Sequence, residues 1–172
     1  HEAVHFFTDP ASGLRAIIAV HSTHRGPSSG GVRYWHYARE QDALTDALRL
    51  SRGMSYKNAM AGLPVGGGKG VILSDGTPKT REQLLAFGAA IEQVQGRYVT
   101  AEDVGMSEAD MATIAERTSY VSGLPVASGA AGGDPGPVTA MGVYLGIKAA
   151  VGQGLGRGSV EGVHIPMQGL RR

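Results

Sequence analysis

Three charged side chains stand at ends of expected elements, where folds place reactive groups. Lys57 closes a helical stretch in Met54-Ser55-Tyr56-Lys57-Asn58. Lys69 follows Gly66-Gly67-Gly68 and precedes Gly70. Asp103 comes directly after the strand-like Tyr98-Val99-Thr100-Ala101, in the crevice position where open α/β sheets bind ligands. Each alone is an ordinary feature: lysines near helix C-termini complement the dipole, and aspartates populate turns. Lys69 stands apart because of its glycines, each of which costs about 0.5–1 kcal/mol of backbone entropy against alanine. A chain tolerates such a run where the backbone takes positive φ or something must approach closely, so the run predicts a turn that exposes the Lys69 amine in a pocket. With Lys57 nearby, like-charge repulsion and burial would lower that amine's pKa and make it a base near neutral pH. Two lysines and one carboxylate therefore have a physical reason to converge.

A phosphate-cradling loop is excluded on spacing, since Leu63 stands where its first glycine belongs and Gly70 where Ser or Thr would follow the lysine. His21 and His24 have an HxxH spacing without an acidic partner, so the expectation is no metal site. The run Gly152-Gln153-Gly154-Leu155-Gly156-Arg157 lacks the dinucleotide pattern after a strand and reads as a flexible link.

The elements that would position these groups alternate between strand and helix. Leu14–His21 is a β-branched apolar run and reads as a buried strand; Arg25–Gly31 reads as a loop leading into a strand over Val32–Tyr37. From Gln41 to about Met60, apolar residues recur at helical spacing and Gly62-Leu63-Pro64 stops the helix. A short strand, Val71-Ile72-Leu73, is followed by an amphipathic helix over Arg81–Val94 and the strand at Tyr98. Ser107-Glu108-Ala109-Asp110 has the form of a capping box opening a helix to about Arg117. Ala127–Pro137 is a Gly/Pro/Ala-rich linker, Pro137 starts a helix to about Val151, Gly152–Gly158 is a spacer, and Gly162–Gln168 reads as a last strand. This alternation predicts an α/β fold, a layered open sheet with flanking helices.

Composition narrows the function classes. Of 172 residues, 42% are hydrophobic and 18% charged, enough to bury a core and incompatible with disorder. Sixteen Lys and Arg against fifteen Asp and Glu, a net +1, argue against a nucleic-acid partner. No run reaches the roughly 18 apolar residues of a membrane span, and no signal-peptide pattern precedes the first strand, so the expected setting is cytoplasmic, without a membrane. The zero cysteine count excludes thiol catalysis and disulfides. The 27 glycines, about twice average usage, fall in clusters rather than in a period.

In order along nearly the whole chain, these segments resemble the Glu/Leu/Phe/Val dehydrogenase family. The resemblance is carried by Leu63-Pro64-Val65-Gly66-Gly67-Gly68-Lys69-Gly70-Val71 with Asp75 beyond, where Gly76 departs from the usual pattern. It extends to Gly30-Gly31-Val32-Arg33, Met54–Asn58, Pro137-Val138-Thr139-Ala140 and Thr100-Ala101-Glu102-Asp103-Val104-Gly105, the last pointing to the leucine, valine and phenylalanine branch.

That resemblance implies NAD-dependent oxidative deamination of a hydrophobic L-amino acid to a 2-oxo acid and ammonia. Lys57, the backbone of Gly30 and Gly31, and Met54 would form the substrate-binding group. Lys69 would be the base that activates water, Asp103 would exchange protons with the substrate amine, and Thr139 would sit near the nicotinamide. Ser29 and Ala101 would line the side-chain pocket, where no anchor for an acidic side chain such as glutamate's is evident. The expected organisation is a substrate-binding and oligomerisation domain over 1–135, a connecting helix and link over 136–158, and over 159–172 the start of a truncated NAD-binding Rossmann domain, because Arg171-Arg172 stand where its next glycine is expected. The partners implied are a small amino-acid substrate and further copies of the chain. The alternative is an inactive assembly or regulatory module of the same family.

Overall fold

The computed structural model describes residues 1–124 and 135–168. The chain divides into two compact units, His1–Gly133 and Asp134–Arg172.

In the first unit, strands β1 (Ala3–Asp9), β2 (Leu14–Ser22), β3 (Ser28–His36), β4 (Gly66–Ser74) and β5 (Tyr98–Glu102) form one sheet in the order β1-β2-β4-β3-β5. β2 is antiparallel to β1 and β4, whereas β3 runs parallel to β4 and β5. Helices α1 (Glu40–Met60), α2 (Arg81–Gln93) and α3 (Glu108–Ala115) complete the unit. The expected layered sheet with flanking helices is what forms.

The apolar run of β2 is buried on both faces, which is why it lacks the alternation of a half-exposed strand. Ala16, Ile18 and Val20 enter a core with Phe87 and Ile91 of α2, Tyr98 of β5, and Met111 and Ile114 of α3. Ile17 and Ala19 pack with Val71 against Ala43 and Ala47 of α1. The two alanines let that helix lie close to the sheet. Hydrogen bonds satisfy the amides at the helix starts: Thr80 with Gln83 caps α2, and Ser107 with Asp110 forms the capping box expected for α3.

Several boundaries differ from expectation. β1 carries no fully buried position, so its sequence shows no apolar signature; it exists by pairing in register with β2. β3 absorbs Ser28–Gly31, expected as loop, because both β4 and β5 offer it a ladder there. The glycine run is not a turn: it is the first part of β4, and Gly66, Gly67 and Gly68 all have ordinary strand φ rather than positive values.

The second unit holds α4 (Gly136–Leu155), which runs past Val151 and through Gly152 and Gly154, parts of the expected spacer, to end on the left-handed Gly156 at φ 61°. Val163–Gln168, expected as a strand, is irregular; among the described residues this unit has no second strand to complete a ladder. Residues 127–134 of the expected linker, and 169–172, lie outside the described residues. No helix among the described residues is long and apolar enough to cross a membrane.

Candidate active site

β4 alternates between two packed layers. Gly68 and Gly70 face Tyr98 and Phe87, where a Cβ on Gly68 would sit 2.7 Å from the Tyr98 ring. Gly67 lies under α1, where a Cβ would come 2.2 Å from Ser55 Oγ and 2.3 Å from the Ser55 backbone nitrogen. Close approach of neighbouring elements, α1 over Gly67 and Tyr98 over Gly68, rather than positive φ, is what the glycines serve. Asn58 in the last turn of α1 is buried and fastens that approach, donating through Nδ2 to the Gly66 carbonyl at 2.6 Å. Asn58→Ala removes this bond and leaves a buried carbonyl unpaired, so a loss of about 2 kcal/mol is expected in urea unfolding. An unchanged midpoint would show that the helix end is held by packing alone.

Lys69 therefore projects from a strand into the layer beneath α1, with only 6% of its side chain exposed. The expected exposed amine on a turn is corrected to a buried amine on a strand. Its Nζ lies 2.5 Å from Asp103 Oδ2. β5 ends at Glu102, one residue before Asp103, and the turn beyond is held by the Tyr34 amide donating to the Val104 carbonyl and by Lys79 donating to the Gly105 carbonyl. Gly31 leaves the space that Asp103 occupies, since a Cβ on it would stand 2.8 Å from Asp103 Cβ. On Gly30 a Cβ would meet the Gly68 carbonyl oxygen at 1.9 Å and Met54 Cγ at 3.1 Å. Lys69, Asp103, Gly30, Gly31 and Met54 thus converge. Paired positions between β3 and β4 stop at Ser29 with Gly67 and resume at Val32 with Gly70, so the ladder is interrupted beside Gly30, Gly31 and Lys69. The Gly30 carbonyl instead accepts from the Tyr98 hydroxyl at 2.7 Å.

Lys57 is exposed in the last turn of α1 and stands outside the ion pairs of this cluster. A cation that acts on Lys69 is Arg33, which sequence reasoning did not place there. Arg33 Nε lies 3.1 Å from Asp103 Oδ2, the oxygen that Lys69 also contacts, and its Nη1 lies 2.7 Å from Asp46 Oδ2 on α1. Tyr37 donates its hydroxyl to that same Asp46 oxygen at 2.7 Å. Sequence reasoning left Arg33, Asp46 and Tyr37 without roles. Arg33 is two residues beyond Gly31 and so shares its face of β3, a signal that was available; Asp46 had none.

Burial lowers the Lys69 pKa, opposed by the Asp103 carboxylate and reinforced by the Arg33 charge. Burial alone would raise Asp103, but the Lys69 and Arg33 cations outweigh it and hold the carboxyl below its usual range. Lys69 is therefore the member of the pair that gives up its proton, while Asp103 stays ionised. Such an amine can accept a proton from water or from a substrate bound beside it.

Thr139 lies in the second unit, exposed in the first turn of α4, with its amide donating to the Pro135 carbonyl. His21 contacts Ser55 Oγ through Nδ1 at 2.7 Å.

A mixed, helix-flanked sheet with a buried lysine–carboxylate pair at an interrupted ladder defines the class of α/β domain. Comparison with known proteins says which one. The profile for "Glu/Leu/Phe/Val dehydrogenase, dimerisation domain" matches residues 1–120, and the chain belongs to this family. It is 51% identical over 171 residues to leucine dehydrogenase of Bacillus subtilis (strain 168), covering 99% of this chain and 47% of that protein. It is 47% identical over 171 residues to valine dehydrogenase of Streptomyces virginiae, covering 99% of this chain and 48% of that protein. The crystal structure of L-tryptophan dehydrogenase from Nostoc punctiforme matches with a TM-score of 0.73 at 41% identity, over 94% of this chain and 45% of that one. The chain spans about half the length of the curated relatives it matches.

Proposed function

We propose that this chain supplies the substrate-binding and proton-transfer half of an NAD-dependent dehydrogenase that deaminates a hydrophobic L-amino acid to a 2-oxo acid and ammonia. The observation that carries the reading is the Lys69–Asp103 contact at 2.5 Å, buried beside the interrupted Gly30–Gly31 ladder. Lys69 in its neutral form takes a proton from the water that adds to the imino carbon, and burial, which lowers its pKa, favours that form. Asp103 exchanges protons with the substrate amine. Lys57, exposed at the α1 terminus, and the Gly30–Gly31 backbone receive the substrate carboxylate, with Met54 against the substrate.

NAD would supply hydride acceptance, but the described residues do not themselves form a pyrophosphate cradle. None of their strand–turn–helix connections carries a G-x-G-x-x-G run, and Thr139 alone on exposed α4 is no cradle. The cofactor site is therefore assigned to the full protein, with Thr139 at its nicotinamide end. The proposed organisation is a substrate and assembly domain over 1–135, a connecting segment over 136–158 and a dinucleotide-binding domain begun at 159. The matched dimerisation domain supports a homo-oligomer, and the proposed setting is cytoplasmic.

Around Ser29 and Ala101 the sequence shows no anchor for an acidic substrate side chain, and relatives are named for leucine, valine and tryptophan. Branched-chain substrates are expected slightly ahead of aromatic ones. Discrimination among them should be shallow, because one methylene in an apolar pocket changes transition-state binding by only about 1–3 kcal/mol. NADH formation by the full native protein on a panel of L-amino acids tests this. Leucine, valine and phenylalanine should all turn over, and glutamate outperforming leucine and phenylalanine would overturn the reading.

A further inference from the structure

The Lys69–Asp103 pair does not end at Asp103. Charges alternate along a half-buried chain from Lys69 to Asp103, Arg33 and Asp46, closed by the Tyr37 hydroxyl. Each member comes from a different element: β4, the turn after β5, β3, α1 and the β3–α1 connection. Asp46 cannot drift far, because Ala43 and Ala47, both fully buried, seat its helix turn on the sheet. Arg33 is shared by two carboxylates through different arms of its fork, Nε to Asp103 and Nη1 to Asp46. The amine and guanidinium converge on a single oxygen of Asp103, so a stronger hold by either cation weakens the other.

We propose that Asp46 and Tyr37 are positioning residues for the proton-transfer pair: by holding Arg33 from the α1 side they limit its pull on Asp103 and keep that carboxylate on Lys69. This rests on the dehydrogenase reading for its purpose, but not for its geometry. The groups facing the pair are Arg33 from β3, Asp46 and, farther out, exposed Lys57 from α1, and Tyr37 from the connection. Tyr98 approaches Asp103 from the opposite layer, and His21 on β2 is occupied with Ser55. Asp46 is the only carboxylate among these besides Asp103. Removing its charge leaves Arg33 uncompensated, which raises the positive potential at Lys69 and draws Asp103 away from it. Both effects favour the neutral amine.

The test measures the pH at which Lys69 in the full native protein is half-acetylated by trace acetic anhydride, read by mass spectrometry with Lys57 as exposed reference. Asp46→Asn should move the Lys69 midpoint down by about 0.5–1 unit, with the acid limb of kcat/KM for leucine following it. Asp46→Glu, which restores the charge, should return the midpoint toward native. Tyr37→Phe, which removes one of the two donors on Asp46 Oδ2, should also move the midpoint, by less. A folded Asp46→Asn variant with the native Lys69 midpoint would overturn the proposal. Should Asp46→Asn fail to fold by circular dichroism, Tyr37→Phe decides: a native midpoint there overturns the proposal equally. Because labelling needs no turnover, a shifted midpoint in a protein without dehydrogenase activity would sink the functional reading and leave the positioning role standing.

Discussion

Lys69→Ala is expected to lower turnover of the full native protein at least about 100-fold, the scale of lost general-base catalysis. The variant should still fold. Asp103 keeps Arg33 at 3.1 Å when Lys69 is gone, so no carboxylate is left buried without a partner. The loss should appear in kcat and kcat/KM together, because the proton is accepted only in the reacting state. The native protein's activity should rise with pH as Lys69 loses its proton, and that limb should fall below the range of an ordinary lysine because burial disfavours the ammonium. In Lys69→Ala the limb should disappear. Equal turnover in the two proteins across pH would remove Lys69 from the proposed mechanism.

A large effect on stability is expected at Gly67→Ala. The added carbon would lie 2.2 Å from Ser55 Oγ, 2.3 Å from the Ser55 nitrogen and 2.5 Å from the Ser51 carbonyl oxygen. Two of these are backbone atoms of a 21-residue helix, which cannot step aside without lifting α1 from β4. A cost of about 3 kcal/mol follows, at the upper end of ordinary overpacking. That corresponds to a fall in Tm of roughly 6–12 °C for a chain of this size. Gly53→Ala is the contrasting substitution. Gly53 lies in α1 with nothing within 4 Å of its would-be Cβ, so alanine should stabilise the helix by about 0.5–1 kcal/mol. Opposite signs for two Gly→Ala changes in contacting elements would confirm that Gly67 serves close packing. Similar small effects at both would leave the glycine run unexplained. Since Lys69 is two residues beyond Gly67 on the same face, Gly67→Ala should also displace the amine and depress activity.

Much of this protein is legible along the chain because the information is local. Helical spacing over 41–60 and 81–94 marks α1 and α2, Ser107 with Asp110 marks the start of α3, and the unbroken apolar run at Leu14 marks a strand covered on both faces. The residues Lys69, Asp103, Gly30 and Gly31 are likewise visible as motifs. β1 is not visible, since an edge strand with partly exposed residues is defined by its partner rather than its pattern. The expected strand at Val163–Gln168 fails for the same reason, because apolar β-branched composition is not a ladder.

The glycine run shows where local reading reaches its end. Three glycines signal that the backbone is doing something other chains avoid, but positive φ and close approach have the same sequence signature. Only the tertiary structure decided between them, by placing α1 directly over Gly67 and Tyr98 over Gly68. It also added Arg33 to the pair, because strand alternation brings its guanidinium to Asp103. Residue types and periodicity determined the elements and the reactive groups. Which charges met, 13 to 70 positions apart along the chain, was decided by packing, because short-range pattern carries no record of what folds against it.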